Sequence, residues 1–137
     1  MFLAFLVASG ICPALGQSCS RDDFTKVVGE AAAALKALND DNARAFQAKL
    51  RELKTKRGWT HDQFMKEAQP LVRDERIAAY DDETNAILTK INSLGEGGEG
   101  RADCKLLAEL QTQMAALVTT TQAKWAYMFG KIAAALN

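Results

Sequence analysis

His61 is the only histidine in this chain, so any Ser-His-Asp or Cys-His mechanism would have to run through it. It stands beside Asp62 at an expected helix start, where a histidine is ordinarily solvated. Di-iron bundles need Glu-x-x-His pairs on two helices, and the residue three before His61 is Gly58. Covalent haem attachment needs Cys-x-x-Cys-His, which is absent. Asp74, Glu75, Asp81, Asp82 and Glu83 form an acidic cluster without the alternating ligands and central glycine of a calcium loop. Arg73 and Arg76 interleave with it, the pattern of a salt-bridged solvated face. No catalytic residue, metal ligand or cofactor motif is therefore expected, and the chain reads as a non-enzyme.

The aromatic residues offer more. Trp125, Tyr127, Met128 and Phe129 cluster near the C-terminus, and Trp125 and Phe129 stand four apart on one helical face. Tyr80 and Trp59 are placed to face them, while Tyr127 points elsewhere. One reading is a plug in the core at the wider end of a bundle. The other is an apolar groove lined by Tyr80, Trp125, Met128 and Phe129, which would accept a protein segment or enclose a small hydrophobic ligand.

The cysteines turn on the compartment. Met1 to Gly16 carries no charged side chain and contains the apolar run 2–8, followed by Pro13-Ala14-Leu15-Gly16. That is the form of a signal-peptide core with a small-residue cleavage site, so residues 1–16 are expected to be removed. Ser9-Gly10 and Pro13 interrupt the run well short of the ~20 residues of a membrane span, and neither Cys12 nor Cys19 is well placed for lipidation. Cleavage removes Cys12. Cys19 and Cys104 then remain in an exported chain, periplasmic or secreted, and most simply pair. Such a disulfide closes a long loop, worth about 3 to 4 kcal/mol by chain entropy.

The elements that position these residues have helical period throughout. Phe24, Val27, Val28, Ala31, Leu35 and Leu38 share one face, with Ser20 as N-cap and Asp22 and Asp23 in the first turn. Asn39-Asp40-Asp41 is expected to break this helix. Ala43, Phe46, Leu50 and Leu53 start a second, which ends in Lys54, Lys56, Arg57 and Gly58. Thr60 and Gln63 form a capping box for a third, with Trp59 placed to staple onto Phe64. Pro70 lies inside that pattern and predicts a kink or restart. Ile77, Tyr80, Thr84, Ile87, Ile91 and Leu94 then follow a coiled-coil-like rhythm, which would also serve a homodimer seam.

Residues 95–100, with four glycines in six, read as a flexible linker. A final helix runs from about Arg101–Asp103 with Leu107, Leu110, Met114, Leu117, Thr121, Trp125, Met128 and Ile132 on its apolar face, and the β-branched run 118–121 marks a bend.

No strand alternation occurs. The expected fold is an all-α, up-down bundle of about four helices, the third kinked near Pro70, in one domain over 17–137. A Cys19–Cys104 bond would set the first and last helices side by side and parallel at that end. Lys plus Arg equals Asp plus Glu at 17 each, which argues against nucleic acid and polybasic membrane-surface partners. No stable membrane insertion is expected after cleavage. The function expected is binding, as an accessory, chaperone-like or inhibitor protein, with a hydrophobic-ligand carrier as the alternative.

Overall fold

A computed structural model describes residues 19–98 and 103–137. The expected signal peptide lies outside the described residues, as does the end of the glycine-rich stretch. Among the described residues the fold is all-α and has no strand. Its elements are α1 (Arg21–Arg57), α2 (His61–Glu67), α3 (Gln69–Val72), α4 (Glu75–Gly98) and α5 (Cys104–Leu136).

Three long helices carry the bundle. The chain rises along α1, crosses over through α2 and α3, descends α4 and rises again along α5. The direction of α1 against α5 follows from its side-chain partners. Cys19 bonds Cys104, Asn39 meets Trp125, and Arg57 meets Ala135, so the two helices run parallel over their whole length. In α4, Glu83 meets Thr120 and Asp81 meets Lys124, while Asp74 just before it meets Lys131, so α4 runs antiparallel to α5. α5 packs closely along both α1 and α4, whose backbones approach each other less closely, although Ile77 of α4 shares a buried cluster with Phe46 and Leu53 of α1. This central position explains its wide buried arc: Leu110, Met114, Leu117, Thr120, Met128 and Ile132 are all buried.

The expected break at Asn39-Asp40-Asp41 does not occur. α1 is one helix of 37 residues, about 55 Å long. None of the three residues is Gly or Pro, so each lowers helix propensity by only about 0.7 kcal/mol or less. Their side chains also find partners that accept the helix. Asp40 pairs with Lys36 one turn before it, and Asn39 accepts a hydrogen bond from the Trp125 indole. Asn42 Nδ2 donates to the Leu38 carbonyl at 2.7 Å.

The N-terminus of α1 has the capping box read from its sequence: Ser20 Oγ accepts from Asp23 N, and Asp23 Oδ2 accepts from Ser20 N at 2.8 Å. At the other end Gly58 takes φ 64°, the left-handed conformation that closes a helix, and its N–H reaches back to the carbonyls of Lys54 and Thr55. The basic last turn does a second job. Lys56 and Arg57 donate to the carbonyls of Leu136 and Ala135, capping the C-terminus of the parallel α5 with positive charge.

The crossover is more broken than a kink. Thr60 and Gln63 form the expected capping box on α2. Pro70 then sits in the first turn of α3, where its missing N–H costs nothing. Arg73 is extended, and Asp74 restarts the helix by accepting from Ile77 N at 2.7 Å.

α4 continues as helix through Gly95, Gly97 and Gly98, beyond the linker boundary expected at Gly95. Propagating a formed helix needs no new nucleus, and the chain must reach the end of the bundle where Cys104 starts α5. α5 also continues as helix through the β-branched run 118–121, where the sequence predicts a bend. Thr121 Oγ1 donates to Leu117 O one turn back, and Thr120 Oγ1 crosses to Glu83.

The core is polarised. Phe46, Leu53, Ile77, Met128 and Ile132 form one buried cluster at the crossover end, roofed by Trp59 and Leu71. At the disulfide end only α5 contributes buried apolar residues, while Phe24, Val27, Ala31, Leu35 and Leu38 of α1 are all half-buried.

Candidate functional site

Two aromatic groups, not one, form around α5. On the α1 side, Trp125 and Phe129 lie one helical turn apart and both meet Phe46, with ring centroids at 6.1 and 5.5 Å. Trp125 and Phe129 also contact each other at 6.2 Å. The indole Nε1 of Trp125 donates to Asn39 Oδ1 at 2.9 Å, which orients the ring against α1. On the α4 side, Tyr80 pairs with Tyr127 at 6.2 Å. Met128 lies between, buried in the core cluster with Ile132 and Ile77.

The four residues singled out by sequence are thus divided. Trp125 and Met128 border an open cavity of about 240 Å³, shared with Asn39, Val72, Asp81, Thr84, Thr121 and Lys124. Phe129 packs into the Phe46 ring cluster, and Tyr80 stands with Tyr127 on the α4 side. Neither lines this cavity. The cavity lies beside α5, between Asn39 of α1 and Asp81 and Thr84 of α4. Among its lining residues Met128 is buried, Trp125, Thr84 and Thr121 are half-buried, and Val72 is exposed. Lys124 and Asp81 form an ion pair at 2.5 Å on the rim, supplying one donor and one acceptor group at the mouth.

Tyr127 belongs to a polar hub that sequence reading passed over. Asp74 Oδ2 accepts from Tyr127 Oη at 2.7 Å and from Lys131 Nζ, while Oδ1 caps α4. Lys131 also donates to the Pro70 carbonyl. Arg76 lies over the Tyr127 ring at 4.9 Å, and Lys131 over it at 5.5 Å. The Lys131 hydrogen bond, followed by those from the Ile77 amide and Tyr127, holds the Asp74 carboxyl far below the usual carboxylate range. The same bond to Asp74 raises the Tyr127 phenol above its ordinary value.

The acidic cluster accordingly dissolves as a unit. Asp74, Asp81 and Glu83 each dock onto a different residue of α5, whereas Glu75 and Asp82 are exposed. The partners are Lys131, Lys124 and Thr120 rather than the interleaved arginines. Sequence carried a signal for the cap, since Asp74 directly precedes a helical pattern. It carried none for Lys131, because that contact depends on how α4 and α5 are aligned. Phe46, on the apolar face of its helix by spacing, is buried in the core; its meeting with Trp125 follows only from an unbroken α1.

His61 is exposed in the first turn of α2. Among the described residues no group of three His, Cys, Asp or Glu side chains converges as a metal site, and no helix is long and apolar enough to cross a membrane. Cys19 and Cys104 are joined, with S–S at 2.07 Å and Cα–Cα at 5.1 Å, across 85 positions of sequence. The chain matches no protein-family model, no curated protein and no solved structure.

Proposed function

We propose that this protein is an exported, non-enzymatic binding protein whose α5 face receives a segment of another protein. The observation that carries the proposal is the open cavity at Trp125 and Met128, lined by residues of α1, α3, α4 and α5 together. At about 240 Å³ it is smaller than the 300–1,000 Å³ of a typical small-molecule pocket, and it opens to solvent. It is suited to one inserted apolar side chain from a partner, with the Lys124–Asp81 pair at the mouth available to that partner's backbone. The disulfide and the charge-free apolar start of the sequence support the exported compartment.

Native mass spectrometry of protein secreted into an oxidising compartment separates this reading from the carrier. Bare protein that then selects displayed peptides with a single apolar anchor supports the protein-segment reading. A co-purified small molecule, lost on denaturation and returned on mixing, would replace it with the carrier. In either experiment Val72→Asp probes the cavity edge, since Val72 is 36% exposed and outside the buried cluster.

A further inference from the structure

We infer that the Cys19–Cys104 disulfide is a conformational latch: its reduction frees the first half of α1 from α5 while the crossover end of the bundle stays folded. The inference rests on how unevenly α1 is held. Its buried residues are Phe46 and Leu53, both in the second half. Over 21–38 no residue is buried, and Val28 is 42% exposed.

The polar ties are equally one-sided. Asn39 to Trp125, Lys56 to Leu136 and Arg57 to Ala135 all lie at or beyond position 39. Among the described residues 21–38, the side-chain hydrogen bonds and ion pairs stay within α1 and its N-cap, as Asp23 with Ser20, Lys26 with Glu30 and Lys36 with Asp40. This half of α1 is thus held at its start by the disulfide and along its length by the half-buried stripe Phe24, Val27, Ala31, Leu35 and Leu38. The backbone of α4 lies less close to α1 than that of α5 does.

Cys19 and Cys104 are both half-buried, within reach of a small thiol. The chemistry is ordinary thiol–disulfide exchange with a dithiol reductant. A thiolate of the reductant attacks one cysteine sulfur, the S–S bond breaks, and the second cysteine leaves as a thiolate that takes a proton. The reductant's other thiol then displaces the first cysteine, which is likewise protonated. The protein gains two electrons and two protons, and the reductant becomes its own disulfide. Without the bond, residues 21–38 are a helix end held by half-buried contacts, the condition for local opening. Opening uncovers Leu110, Met114 and Leu117, the apolar residues that α5 buries at this end.

The test is amide hydrogen exchange on the full exported protein, with and without dithiothreitol. The expected result is faster exchange, by about tenfold or more, over 21–38, with 43–57 and 122–136 unchanged. A hydrophobic dye should bind at the same time. Uniform acceleration along the chain would overturn the inference, because the bond would then support the whole fold. Unchanged exchange over 21–38 in protein shown by mass to be reduced would overturn it equally. A Cys19→Ser/Cys104→Ser variant should show the open pattern without reductant and no response to it.

Discussion

Asp74 accepts hydrogen bonds from the Ile77 amide, the Tyr127 hydroxyl and the Lys131 ammonium, and so ties the start of α4 to the last third of α5. Its depressed carboxyl pKa has a thermodynamic consequence. A group that ionises more readily in the folded state contributes stability above its unfolded value and loses that contribution as pH falls below it. For Asp74 the loss begins near the ordinary value of 3.8 and continues downward. Asp74→Asn should therefore be less stable than the parent at neutral pH and should lose less stability on acidification. Thermal melts from neutral to strongly acidic pH check this, and parallel curves for the two proteins would count against it. Tyr127 has the opposite sign. Its phenol is favoured in the neutral, donating form, so its contribution is complete below the ordinary value of 10.0 and is lost as pH rises past it. Ultraviolet titration of Asp74→Asn should show the Tyr127 phenolate forming at lower pH than in the parent.

At the scale of elements, α1 is the strongest test of how far the sequence can be read. Its caps, its apolar stripe and its basic final turn were all legible, because each depends on neighbours within four residues. The continuity through Asn39-Asp40-Asp41 was not. Those residues look like a break until α5 supplies Trp125 as the donor for Asn39, a contact 86 positions away. The same distinction separates the legible capping box at Thr60 from the illegible hub at Asp74. It also separates the aromatic residues, whose presence was read correctly, from their division into a Phe46 cluster and a Tyr80–Tyr127 pair.

Two substitutions probe this level. Phe46→Ala should destabilise by about 3 to 5 kcal/mol, since Phe46 is 3% exposed and meets both Trp125 and Phe129. Asn39→Ala should cost only about 1 kcal/mol, the loss of one hydrogen bond at a partly wet site. Urea unfolding followed by Trp fluorescence measures both, and a reversed order would show that the Asn39 bond, not the ring cluster, holds α1 to α5. Gly58→Ala should cost about 1 to 2 kcal/mol through its left-handed φ alone, because a Cβ there meets no atom within 4 Å. An unchanged melting midpoint would mean that the turn after α1 relaxes.

At the scale of the molecule, the architecture is one central helix with a parallel and an antiparallel neighbour. The parallel pairing of α1 and α5 was readable from the two cysteines alone, because a covalent bond between two helix starts leaves little choice of direction. The cavity beside α5 was not readable. Its lining comes from α1, α3, α4 and α5, so it exists only once those elements are aligned on one another. Trp125→Ala cannot separate binding from packing here, since Trp125 contacts Phe46 and Phe129 and the loss of a ring would weaken the bundle itself. Thr84 is better placed, as a half-buried cavity wall outside the buried cluster. The most direct measurement is the affinity of a peptide selected for the parent protein, compared with Thr84→Phe by calorimetry, with melting temperatures recorded alongside. Filling the cavity is expected to weaken binding by about tenfold or more at an unchanged melting temperature. Equal affinity for the two proteins would show that the cavity is not where the partner sits.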